Sequence, residues 1–244
     1  MHRFFIPKPY KQEMQITGRD AHHIMDVLRM GVGDQLQVVA DDGISFLGEI
    51  TAANTNTVTV AAREILRETH EPDVRISLLQ GLAKGEKMEL IIQKAVEIGV
   101  AEIFPLAMDH SVVVLDRSKA EKKTERWQKI AEAAAKQSKR DVIPAVHGVM
   151  KLSQVLQEDN WDLLVIAYES ENKVSLKEVL QSHKNAKSIG VIIGPEGGLS
   201  NEEVNVAQKA GGIAVSLGRR ILRTETAGMV TAAAILYETD NLGI

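Results

Sequence analysis

Residues 188–226 constrain the fold more than any other stretch of the chain. Two apolar runs, 188–193 and 213–217, read as short strands. Each ends in a glycine-containing turn, Gly194-Pro195-Glu196-Gly197-Gly198 and Leu217-Gly218-Arg219-Arg220, and each turn leads into a helix-length segment. A chain that alternates strand, turn and helix builds an open α/β sheet, and ligands bind such sheets beyond the carboxyl ends of the strands. Two such ends so close in sequence predict one composite site. Glycine lets backbone approach a ligand closely, and Pro195 stiffens the first turn. The second turn adds Arg219, Arg220 and Arg223 beside Glu225 and Thr226. That mixture suits a cofactor held by backbone and an anionic or polar substrate held by arginine.

The same alternation is expected from Val74 onward. A strand over 74–82 precedes a helix over 86–98, with Met88, Ile91, Ile92 and Ala95 on one face and Gly99 as its stop. Short strands are expected at 101–106 and 112–115, a long helix at 118–139, and apolar strands at 162–167, 188–193 and 212–217. Ser200 and Glu203 form a capping box for a helix over 201–210. Thr224 is the expected cap of a last helix, 225–238. Residues 1–64 follow another rule. Segments 35–40 and 44–50 flank the tight turn Asp41-Asp42-Gly43, 58–61 alternates as a third strand after a turn at 54–57, and 20–30 has helical spacing. These features predict a small β-barrel over residues 1–70, a polar linker at 67–73 and an α/β domain over 74–244.

Several chemistries are excluded. With no cysteine there are no disulfides or thiolate metal sites, and the seven scattered histidines have no ligand spacing, so no metal is expected. There is no Gly-Lys-Ser/Thr phosphate loop, no Gly-x-Gly-x-x-Gly and no Gly-x-Ser-x-Gly elbow. No apolar run approaches membrane-spanning length, and Pro7 interrupts the N-terminal apolar residues, so a cytoplasmic protein without membrane contact is expected.

The net charge of −4 argues against nucleic acid, but its distribution argues for it. Between Asp116 and Arg140, nine Lys/Arg face four acids. Trp127, Ile130, Ala131 and Ala134 give that helix an apolar face, and Arg126, Lys129, Lys136 and Arg140 fall on another. An ordinary solvated face is the bland alternative. With an arginine turn elsewhere in the chain, the expectation is phosphate contact by these four residues and by Arg219 and Arg220. On the last helix, Ala227, Val230, Thr231, Ala234 and Ile235 form a small, apolar face that predicts a homodimer interface.

At these motifs the chain resembles the RsmE family, SPOUT-class methyltransferases acting on uridine N3 of 16S ribosomal RNA in the small subunit. The resemblance rests on Gly194-Pro195-Glu196-Gly197-Gly198-Leu199-Ser200-x-x-Glu203 and on the run from Leu217 through Arg223-Thr224-Glu225-Thr226-Ala227. It is supported by Lys84-x-Glu86-Lys87-Met88-Glu89, Gln93 through Val100, Gln137-Ser138-x-Arg140 and the opening His2-Arg3-Phe4-Phe5, and it covers essentially the whole chain. The chain departs from the family at Lys136, where an acid is usual, and at Asp109-His110-Ser111, where Glu-Arg-Ser is expected. The resemblance implies a PUA-like barrel before a SPOUT α/β domain with a C-terminal trefoil knot, working as a homodimer. It also implies S-adenosylmethionine held by Gly194, Pro195, Glu196, Gly197, Gly198, Leu217, Gly218, Ile221, Leu222 and Thr226. Arg223 is the expected catalytic residue, because a forked, permanently charged donor suits a developing base anion. Two other readings stay open: a non-catalytic RNA-binding protein with a vestigial cofactor fold, and methylation of transfer RNA.

Overall fold

The computed structural model describes residues 2–54, 56–67, 69–158 and 160–242. Thr55 of the expected turn and Glu68 of the expected linker lie outside them. The chain divides into two compact units, Met1–Glu71 with Ala135–Ile143, and Pro72–Ala134 with Pro144–Ile244.

In the first unit, β1 (Arg3–Ile6), β2 (Glu13–Thr17), β3 (Gln35–Ala40), β4 (Ser45–Asn54) and β5 (Thr57–Leu66) form one sheet in the order β1-β3-β4-β5-β2. Only β1 and β3 run parallel. The helix expected at 20–30 is α1 (Gly18–His22), continued by a π-helical turn over His23–Val27. Ile24, Leu36, Phe46 and Ile50 fill the core.

Residues 135–143, read from the sequence as part of the second domain, join the first unit through buried charges. The Arg3 guanidinium donates to the Lys139 and Arg140 carbonyls and, at 3.0 Å, to Asp141. Arg140 was expected to face phosphate. It is instead buried, with its guanidinium on the Glu71 carboxylate, which also accepts the Asp141 and Val142 N–H groups. A buried charge without such partners is costly, so Arg140 is committed inward. Lys136 donates to both oxygens of Asp20 at 3.1 Å.

The second unit is built on β6 (Arg75–Gly81), β7 (Glu102–Leu106), β8 (Ala145–Val146), β9 (Leu163–Ala167), β10 (Ser188–Ile193) and β11 (Ile213–Val215). All neighbours are parallel, in the order β11-β9-β10-β6-β7-β8. The central strands are mainly apolar, with Ser77 and Gln80 the buried polar exceptions on β6, because helices cover both faces of a parallel sheet. The helices are α2 (Lys87–Ile98), α3 (Arg117–Gln137, its last turn in the first unit), α4 (Leu152–Glu158), α5 (Leu176–Ser182), α6 (Asn201–Lys209) and α7 (Thr224–Glu238). Met88, Ile91, Ile92 and Ala95 are buried as the spacing predicts, and Gly99 ends α2 at φ 123°. No helix among the described residues is long and apolar enough to cross a membrane.

Three expectations fail here. Residues 112–115 are not a strand, and Val112 and Val114 are exposed. The neighbours of β7 are β6 and β8. Thr224 does not cap α7. Arg223 is the N-cap residue, and the Thr224 hydroxyl donates to the Gly194 carbonyl at 2.6 Å while accepting from Gln80 Nε2 at 2.8 Å. Finally, Ala227, Thr231 and Ile235 of the expected dimer face are buried within the chain itself. The part of α7 left outside carries Met229, Val230, Ala233 and Tyr237.

A polar cluster braces the sheet on the far side from these turns. Glu102, nearly buried, accepts from Ser77 Oγ at 2.6 Å, pairs with Arg75 at 2.5 Å and meets His147 Nε2 at 3.0 Å. The His147 ring stacks on Phe104 at 4.0 Å. Burial pushes the Glu102 carboxyl up, but the hydrogen bonds from His147 and Ser77 and the charge of Arg75 outweigh it, so its pKa is lowered. A lowered carboxyl pKa stabilises the fold above the ordinary carboxylate range and ceases to do so as pH falls through the folded value. Glu102→Gln should therefore cost about 1–2 kcal/mol at neutral pH, and its difference from wild type should shrink only as pH falls below the ordinary carboxylate range, toward the lowered folded value. Denaturant titrations at neutral and low pH check both halves.

Candidate active site

The two glycine turns do meet. The turn after β10 and the turn after β11 wall a cavity of about 530 Å³, closed by the start of α7 and by the residues that follow β9. Its lining includes Gly194, Pro195, Glu196, Gly197, Gly198, Leu217, Gly218, Ile221 and Leu222, with Arg219, Arg220 and Arg223. Thr226 is not part of that wall. It lies in the first turn of α7, its N–H on the Arg223 carbonyl, and Thr224 and Ala227 line the cavity instead.

The first turn is tight because it must be. Gly198 N–H closes on the Pro195 carbonyl at 3.0 Å, with Gly198 at φ 76°. A Cβ on Gly194 would lie 2.9 Å from the Gly198 carbonyl carbon, and one on Gly197 would lie 2.8 Å from His110 Cβ. The loop is thus packed on His110. Asp109 N–H donates to Glu203, and Ser200 Oγ donates to Asp109 at 2.6 Å. Both halves of the Ser200–Glu203 capping box are present, so the same four groups fix the start of α6 and the end of the loop.

Gly218 differs. It has φ 105°, yet a Cβ there would meet nothing within 4 Å. Space in front of a glycine backbone is a cradle for a flat ligand, and Leu217 and Leu222 supply apolar walls for it.

Lys87 is the residue the sequence reading passed over. Its ammonium lies 3.2 Å from Glu196 and 3.4 Å from Glu225. The Glu225 contact is an ion-pair distance without hydrogen-bond alignment, which leaves that buried oxygen without a hydrogen-bond partner. Burial pushes the Glu196 carboxyl up, but the Lys84 N–H at 3.0 Å, its own N–H and Lys87 bring it below the usual value. Because Lys87 takes both carboxylates, Arg223 pairs with neither. Its exposed guanidinium is a cavity-wall group with no carboxylate partner among the described residues. Tyr168 and Glu169 were also missed. Their signal was a polar pair directly after the apolar run 162–167.

On α3 and just after it, the four expected phosphate contacts separate. Lys129 is exposed, and Arg126 is exposed with one bond to Glu89 at 2.8 Å. Lys136 is half-buried on Asp20, and Arg140 faces inward. Among the described residues no cluster of His, Asp or Glu could hold a metal.

An N-terminal β unit followed by a parallel α/β unit with a glycine-walled, arginine-rimmed cavity defines a class, a PUA domain joined to a SPOUT-type RNA methyltransferase domain. The RNA methyltransferase domain family matches residues 70–236, and the RNA methyltransferase PUA domain family matches residues 16–62. The chain belongs to the ribosomal RNA small subunit methyltransferase E family. It is 38% identical to the protein of that name from Bacillus subtilis, over 99% of this chain and 98% of that one. The Buchnera aphidicola protein of the same name is 30% identical over 90% of this chain and 86% of its own. The crystal structure of ribosomal RNA small subunit methyltransferase E from Neisseria gonorrhoeae, bound to S-adenosyl methionine, superposes with a TM-score of 0.83 at 29% identity, covering 97% of each chain.

Proposed function

We propose that this protein methylates N3 of a uridine in 16S ribosomal RNA, using S-adenosylmethionine, as a cytoplasmic homodimer. The observation that carries the reading is the cavity shared by the two glycine turns and rimmed by three arginines. Its residues fit the cofactor: Gly218 leaves open space where any side chain would intrude, and Gly194 and Gly198 present backbone. Leu217, Ile221 and Leu222 would hold the adenine, and the 194–198 backbone the rest. When bound, the cofactor supplies an electrophilic methyl on a sulfonium.

The chain's own residues do the remainder. Uridine N3 carries a proton and lies on the pairing edge, so the base must be unpaired and turned into the cavity. N3 would give its proton to solvent water, the electron pair left behind would spread onto the base oxygens and then form the new N–C bond, and the pair of the broken methyl–sulfur bond would stay on the departing sulfur. Arg223 would neutralise the charge on the base oxygens with two fixed donors. Arg219 and Arg220, exposed on the same turn, would hold phosphate. A trefoil knot would place 216–224 through a loop of the chain, and the bonds at its ends are compatible with that: Ser216 bonds the 174–176 segment, and Thr224 bonds Gly194. Ribosomal RNA nucleosides analysed by mass spectrometry, with and without the protein, test the reaction. Loss of 3-methyluridine in the protein's absence is the expected result, and an unchanged nucleoside profile overturns it.

Two predictions belong to this reading. Arg126→Glu with Lys129→Glu should lower RNA affinity about tenfold or more at low salt, flatten its salt dependence and leave cofactor affinity intact. Filter binding across a salt series checks it, and unchanged affinity removes α3 as a docking surface. The exposed stripe of α7 supports the homodimer, since Val230 and Tyr237 are 43% and 71% exposed. Val230→Glu should convert the dimer to monomer in sedimentation at micromolar concentration, while a wild-type monomer there would refute the dimer.

A further inference from the structure

The strand order β11-β9-β10 places the end of β9 between the two glycine turns. The chain leaving β9 puts Glu169 into the cavity wall. Its Oε1 would lie 2.5 Å from a Cβ on Gly198, so the carboxylate rests over the bare Cα of that glycine. Two carboxylates line this cavity, Glu169 and Glu196. Glu196 is satisfied by Lys84 N–H and Lys87. Glu169 has neither a cation nor a hydrogen-bond donor among the described residues. It is an exposed acceptor at a ligand cavity, free of any protein donor among the described residues.

We infer that Glu169 binds the ribose of the cofactor, its two oxygens accepting the 2′ and 3′ hydroxyls. This rests on the S-adenosylmethionine reading of the cavity and goes one step further, assigning a residue to one part of the ligand. The chemistry favours the diol because an ionised carboxylate is acceptor-only and can take two neighbouring O–H donors at once. An acidic residue beyond a parallel strand serves the same purpose in dinucleotide-binding sheets. The order along the ligand agrees. With adenine against the turn after β11 and the methionine end toward the turn after β10, the ribose that joins them would fall at the end of β9. Glu169 also approaches the glycine loop over Gly198, whereas α7 and its Arg223 end approach through the Gly194 carbonyl.

Calorimetry of wild type and Glu169→Gln with three probes tests this. S-adenosylhomocysteine carries the amino acid, 5′-methylthioadenosine lacks it but keeps the ribose, and 2′-deoxy-5′-methylthioadenosine lacks one hydroxyl. Glu169 is exposed, so the variant should melt as wild type does. We expect the variant to bind the first two ligands about tenfold or more weakly, as for loss of hydrogen bonds to a charged group. We expect a smaller loss with the deoxy ligand, which keeps only the 3′ hydroxyl for that carboxylate. Loss confined to S-adenosylhomocysteine would give Glu169 to the α-amino group and overturn the assignment. Equal affinities with lowered turnover would make it a proton acceptor instead, and also overturn it. Wild-type protein that binds none of the three would overturn the cofactor reading itself.

Discussion

Arg223→Lys should turn over about 10²-fold or more slowly than wild type, with cofactor affinity nearly unchanged. Lysine keeps the charge and gives up the planar fork, so the substitution isolates geometry from charge. The structure sharpens the expectation in two ways. Arg223 is the N-cap of α7 with an extended backbone, φ −68° and ψ 153°, and its carbonyl starts the helix by accepting from Thr226 and Ala227. None of that depends on the side chain, so the variant should fold. The competing role, pairing with Glu196 or Glu225, is already filled by Lys87. Single-turnover rates with saturating cofactor are the measurement. Wild-type rates in the variant would remove Arg223 from the chemistry, and a parallel loss of cofactor affinity would make it a binding residue.

Gly81→Ala should have the second large effect, although Gly81 lies at the end of β6 and outside the cavity wall. A Cβ there would sit 2.5 Å from Pro195 N, 2.7 Å from Pro195 Cδ and 3.0 Å from the Gly194 carbonyl carbon. These are backbone and ring atoms that cannot rotate aside. One added methyl must push the 194–198 loop off β6, and the Thr224–Gly194 bond that sets the start of α7 moves with it. The stability cost should be about 1–3 kcal/mol, the usual range for overpacking. The larger loss should be functional, with cofactor affinity falling at least about tenfold, because the loop that would hold the ligand is the part displaced. A thermal melt and a binding isotherm separate the two. Unchanged affinity would mean that the loop tolerates displacement.

The strands around the site were legible because a buried parallel strand is apolar on both faces and stands out as a run, as 188–193 does. The α6 cap was legible because a capping box is a local pattern, Ser200 and Glu203 three residues apart. Other features depend on partners distant in the chain. Arg140 has the i, i+4 spacing of a surface charge, and only Glu71, sixty-nine positions earlier, turns it inward. Lys87 reads as an ordinary solvated lysine until the turns at 196 and 225 come to it. The run 112–115 has strand composition but pairs with no strand, and composition carries no information about pairing partners. On α7, small residues suit close packing against either a partner or the chain's own sheet, so the pattern alone did not say which side faced in.

The buried guanidinium of Arg3 carries a consequence for biogenesis. Its acceptors, Lys139, Arg140 and Asp141, are synthesised more than a hundred residues after it. As the chain leaves the ribosome, the N-terminal sheet can collapse early, but it must wait with a cation in its interior until the segment after α3 arrives. The first unit therefore cannot mature in isolation from the start of the second, and a fragment ending at residue 71 would carry an unanswered charge. Sequence separation of this kind slows folding, and it also couples completion of one unit to successful synthesis of much of the other.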